Sequence, residues 1–142
     1  MTKSEELGQI MDVQVDLMEA LVKTLHETQK ALVNADRTLL DKSIRREEEL
    51  VKPFHELETE RNRCVQELAG TPSTITALLS SLNENERMKV LDLRKRMTSA
   101  AESIMTLNEQ NRVLIRNARR FVEETIRLIT DDHRRQLIDE RM

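Results

Sequence analysis

The sequence predicts an all-α fold: an elongated antiparallel helical bundle, or coiled coil, of three long helices plus one short helix. Three observations carry this. Apolar residues recur at seven-residue spacing over most of the 142 positions. Only two Gly and two Pro interrupt the chain, while charged residues make up 35% of it, the composition of long helices and helical hairpins. Aromatic residues are limited to Phe54 and Phe121, and no β-branched and aromatic alternation marks a strand.

Helix 1 is expected from about Ser4 to Val33. Its seam reads Leu7, Met11, Gln14, Met18, Leu21, Leu25, Thr28, Leu32, in steps of four and three. Ser4 suits the N-cap, with Glu5 and Glu6 in the first turn, where the positive helix end favours acids. Ile10, Leu17 and Ala31 widen the stripe beyond a simple zipper. Asn34-Ala35-Asp36 is the expected turn: Asn tolerates a left-handed conformation and Asp36 can cap the next helix. A hairpin and one continuous rod both stay open here, since neither Gly nor Pro enforces a break.

Helix 2 is expected from Arg37 to Ala69, stopped by Gly70. Its seam is Leu39, Leu40, Ile44, Leu50, Phe54, Leu57, Cys64 and Leu68, with Glu47 and Arg61 on or beside it. Pro53 removes one backbone donor and clashes with the carbonyl four residues earlier, so a kink is expected near Glu49 to Lys52. Thr71-Pro72 reads as an N-cap and a first helical position for a short helix through Leu78, Leu79 and Leu82. Asn83 and Glu86 then have capping-box spacing for the last helix.

That last helix, expected to run to about Thr130, dominates the chain. One series reads Leu93, Ala100, Leu107, Leu114, Phe121, Leu128. Beside it lies Met97, Ala101, Ile104, Asn108, Asn111, Ile115, Ala118, Val122, Thr125, Ile129. Residues three and four apart share a helix face, so the stripe is wider than the two positions in seven of a two-helix seam. Such a helix must touch two neighbours, or one neighbour and something outside this chain. The domain is therefore drawn as residues 1–130. Residues 131–142 (DDHRRQLIDERM) form a charged tail, read as a helical extension or as disordered.

The residue inventory disfavours catalysis. His26, His55 and His133 lie on separate segments without the Glu-x-x-His pairs of di-iron bundles. After His55-Glu56, Thr59 stands where a zincin needs its second His. Cys64 is the only cysteine, which fits a reducing compartment and leaves no thiolate cluster for metal. It reads as a small buried hydrophobe. No metal or cofactor is expected. A net charge of −3 argues against a general nucleic-acid binder. Neither a secretory signal nor a membrane span is visible, so the expected location is the cytoplasm.

Two polar features remain. Arg112, Arg116, Arg119, Arg120 and Arg127 form either a solvated face or a surface that steers an acidic partner segment. Asn108 and Asn111 fall on the buried series, where a polar group costs stability but fixes register and partner. Their amides pair either with helix 1 or with a bound helix.

With these residues assembled, the chain resembles the FlgN family. The resemblance rests on Ala31-Leu32…Asp36…Leu39-Leu40, then Leu50 and Leu57 ending in Glu58…Arg61, and on LNEQNRVLI at 107–115. That last run is similar to the family's Asn-x-x-Asn-x-x-Leu-Ile signature. Arg112 stands where many relatives have Gly, and the Tyr- and Gly-containing tail common among them is replaced.

The resemblance implies a non-enzymatic bacterial chaperone of flagellar type III secretion. Its partners would be the C-terminal amphipathic helices of the hook-associated proteins FlgK and FlgL, and the flagellar export apparatus that removes it. On the surplus apolar face of the last helix, the residues expected to bind the client are Leu107, Asn108, Asn111, Leu114, Ile115, Ala118, Phe121, Val122, Thr125 and Ile129. Two alternatives stay open: a FliT-type filament-cap chaperone, and a structural coiled-coil protein whose extra stripe closes a homo-oligomeric bundle.

Overall fold

The computed structural model describes residues 1–71 and 74–141. Four helices follow one another: α1 (Lys3–Asn34), α2 (Arg37–Ala69), α3 (Ile75–Ser80) and α4 (Glu84–Arg141). No strand occurs among the described residues.

Each boundary has a local cause. Thr2, rather than Ser4, caps α1: its side chain accepts from Glu5 N, and the Glu5 carboxylate returns to the Thr2 N–H in a capping box. At the other end Ala35, not Asn34, takes the left-handed conformation (φ 52°). Its N–H and that of Asp36 then return to the last carbonyls of α1. Asp36 caps α2 through Leu39 N at 3.1 Å. Helices 1 and 2 are therefore a hairpin. α2 passes through Pro53 without ending and stops at Gly70, whose φ of 76° suits a residue without a Cβ.

The expected cap at Thr71-Pro72 falls partly outside the described residues; Thr74 caps α3, accepting from Ala77 N at 3.1 Å. Asn83 and Glu86 close a reciprocal capping box at 2.9 and 3.0 Å. From there α4 runs for 58 residues, about 87 Å at helical rise. α4 takes in residues 131–141 of the charged tail.

The long helices run up, down and up. α2 returns antiparallel to α1, as the Gln14–Glu58 and Lys3–Glu67 contacts show. α4 lies parallel to α1: Ser4 bonds Glu86, Asp12 pairs with Lys89, Glu19 with Arg96, and Gln29 bonds Gln110. The tightest core, Leu7, Ile10, Met11, Val15, Cys64, Leu78, Leu82, Val90 and Leu93, sits at the α3 end. The α1–α2 seam is more polar. Gln14 Nε2 donates to Glu58 at 2.9 Å, and the Thr28 hydroxyl donates to Glu47 at 2.7 Å while lying 2.9 Å from Ser43 Oγ. Ser43 is buried there and Ile44, placed on the seam by its spacing, is 41% exposed. The Thr28–Glu47 bond sets α2's azimuth.

Candidate functional site

The first half of α4 spends its apolar stripe on α1. Val90, Leu93, Ala100 and Leu107 are 2–6% exposed, and Lys89–Asp12 (3.0 Å) and Arg96–Glu19 guard the rim. The last inter-helix bonds are Gln29 Nε2 to Gln110 (2.8 Å) and Asn111 Nδ2 to the Leu25 carbonyl (3.1 Å). α1 then ends at Asn34, whereas α4 continues. Every residue from 115 to 140 is exposed, on an arm of about 39 Å at 1.5 Å per residue.

The arm keeps the stripe. Leu107, Asn111, Leu114, Ala118, Val122, Thr125 and Ile129 follow one another in steps of four and three, so one helix face passes from covered to bare. Phe121 and Leu128 are each 70% exposed, Ile129 65%, Val122 54% and Ile115 44%. Ala118 and Thr125 are exposed, and the Thr125 hydroxyl donates back to the Phe121 carbonyl (2.8 Å). Leu114 is half-buried at the transition.

Of the ten sequence-derived site residues, Leu107 and Asn111 are covered by this chain and the other eight are exposed or half-buried. Leu107 and Asn111 are buried against α1, because the register of α1 and α4 covers the stripe up to that turn. Asn108 is exposed, one heptad before Ile115 on the same edge of the helix. The two asparagines thus have different surroundings. Asn111 holds the α1–α4 register through its amide, with its Oδ1 unpartnered. Ile126, 59% exposed, belongs to the bare face although it is absent from both heptad series. Its position four residues after Val122 and three before Ile129 would have revealed it.

A second surface has no counterpart in the sequence reading. α2 and α4 both pack on α1 but barely on each other. The cleft between them has Met11 and Met18 as its floor, Phe54 and Val65 on one wall and Met97 on the other. Ile75 and Leu78 of α3 close its end. Arg61 bridges the rim, pairing with Glu58 and reaching Met97 Sδ at 3.6 Å.

The electrostatics belong to the bundle rather than to a reacting centre. Burial pushes the Cys64 thiol up, with Glu6 adding to the effect, so it is a poor nucleophile. The hydrogen bond from Ser4, then that from the Asn83 backbone, holds Glu86 below the usual carboxylate range. On the arm, Arg112 pairs with Glu109 at 3.7 Å. Arg116, Arg119 and Arg120 form no ion pair among the described residues. No cluster of His, Cys, Asp and Glu able to hold a metal occurs among the described residues. The arrangement offers apolar contact and charge, which is the chemistry of protein docking.

A family model described as FlgN protein matches residues 1–138. The chain belongs to the FlgN family. FlgN proteins are flagellar export chaperones, a family of binding proteins and not of enzymes. No curated protein and no solved structure gives a match to the chain. Among the described residues no helix is long and apolar enough to cross a membrane.

Proposed function

We propose that this FlgN protein is a cytoplasmic export chaperone that holds the C-terminal amphipathic helices of the hook-associated proteins FlgK and FlgL. The docking surface is the bare half of α4, with Leu114, Ile115, Ala118, Phe121, Val122, Thr125 and Ile129 as its contacts and Ile126 and Leu128 beside them. The observation that carries this reading is the continuous apolar face left uncovered beyond α1. An exposed apolar strip of this extent marks an interaction site on a soluble chain.

A client helix presenting anchors at i, i+3, i+4 and i+7 fits such a face. Binding orders a segment that is otherwise unstructured or prone to assemble, so part of the gross interaction energy is lost in ordering it. The complex then stays loose enough for the export apparatus to strip the chaperone off. Family membership favours hook-associated clients over the filament cap.

Calorimetric titration with peptides from the C-terminal ends of FlgK and FlgL tests the reading. The expected result is saturable binding with a negative heat-capacity change, lost in Phe121→Asp while helicity is retained. Unchanged binding in Phe121→Asp and Val122→Asp would overturn it.

A further inference from the structure

We infer that, when no client is bound, two copies of this chain pair antiparallel through the bare halves of their α4 helices. The inference deepens the preceding proposal by naming what covers the same strip in the resting chaperone.

Charge order commits the strip to its own reverse. Residues 112–120 carry Arg112, Arg116, Arg119 and Arg120 and no acid. Residues 121–140 carry six acids against three arginines, a net of −3. A parallel pair would stack arginine on arginine. An antiparallel pair sets the basic stretch of each copy against the acidic stretch of the other, an arrangement that steers and orients association.

The area is sufficient. Ile115, Phe121, Val122, Ile126, Leu128 and Ile129 are each 44–70% exposed. At roughly 100 Å² apiece they offer the pair up to about 1,200 Å², the lower end of stable interfaces. Geometry allows it as well. Each arm extends beyond its own hairpin, so overlapping arms leave the two bundles at opposite ends of one rod. The contact is self-complementary about a two-fold axis and closes on itself, without a filament.

Sedimentation equilibrium of the full chain without peptide tests this. The expected mass is twice the 16.6 kDa of one chain at tens of micromolar. Arg119→Glu/Arg120→Glu and Asp131→Arg/Asp132→Arg should each self-associate at least about tenfold more weakly, and a 1:1 mixture of the two should restore pairing. All four positions are exposed, so the fold survives, and circular dichroism checks it. A wild-type chain that stays monomeric overturns the inference, as do variants that dimerise alone or a mixture that fails to pair. Client binding is scored separately: peptide binding to a strictly monomeric chain refutes pairing and spares the client reading. A charge-sensitive dimer that no peptide engages does the reverse.

Discussion

The two halves of α4 share one sequence pattern and have opposite surroundings. Up to about residue 111 the stripe is 2–6% exposed at Val90, Leu93, Ala100 and Leu107; beyond 114 its large apolar members are 44–70% exposed. Both halves repeat apolar residues in steps of four and three, and both carry mixed charges elsewhere. What differs is length: α1 has 32 residues and α4 has 58. A heptad pattern says that a face is to be covered. It does not say by what, and beyond the end of α1 no described residue of this chain covers it.

The largest expected effect separates the halves by stability. Leu93→Ala or Leu107→Ala should destabilise the chain by about 2–5 kcal/mol in chemical denaturation, because each leaves a cavity in a packed seam. Phe121→Ala, with its side chain already in water, should stay within about 0.5 kcal/mol at concentrations where the chain is monomeric. Equal losses would break the contrast. Binding should invert the order: Phe121→Asp is expected to weaken client peptide by at least about 30-fold, the scale of a central aromatic anchor.

Smaller effects sharpen the boundary. Asn111→Leu should raise stability by up to about 1 kcal/mol, since it removes a half-satisfied buried amide, at a loss in register between α1 and α4. Asn108→Leu should leave stability nearly unchanged, and thermal melts of the pair decide it. Gly8→Ala tests the packed half from the other side. The nearest atoms to an added Cβ are those of the Lys89 side chain, at 3.5 Å and beyond, so helix propensity should stabilise by about 0.5–1 kcal/mol.

The slightest expected effect is a pH dependence. The Glu86 carboxyl is held below its ordinary 4.5 by Ser4 and the Asn83 N–H. Its contribution is therefore present above pH 4.5 and lost as pH falls through the lower folded value. Glu86→Gln, which keeps an acceptor for the cap, should flatten that part of the acid limb in melts between pH 6 and 3.

Where backbone chemistry is local, the sequence was readable. Asp36, Gly70 and the Asn83–Glu86 box each act within one helical turn, and all three end or start a helix as expected. The misreadings arise where several local solutions compete or where tertiary register decides. Thr2 outcompetes Ser4 because Glu5 sits three residues on and completes its box. Ala35 takes the left-handed position because the hairpin geometry, not side-chain preference, chooses the residue. Ser43 enters the seam in place of Ile44 because Thr28 and Glu47 fix how α2 is turned.

That the apolar stripe continues through the second half of α4, and most of the residues on it, was legible from spacing. The point at which the face changes from covered to bare was not, since it depends on where α1 ends relative to α4. The cleft over Met11 and Met18 escaped for the same reason: it exists only because α2 and α4 straddle α1 without meeting.

Because α4 is one unbroken helix, the compass bearing of the bare strip is geared to the bundle. Inserting a single residue between Arg116 and Asn117 would swing Phe121 and Ile129 by about 100° around the axis while advancing them only about 1.5 Å. Inserting seven would bring the bearing back to within about 20°. The rod therefore works as a keyed shaft: composition alone does not define the outer surface, and its phase against the hairpin decides which side of the molecule the apolar strip faces.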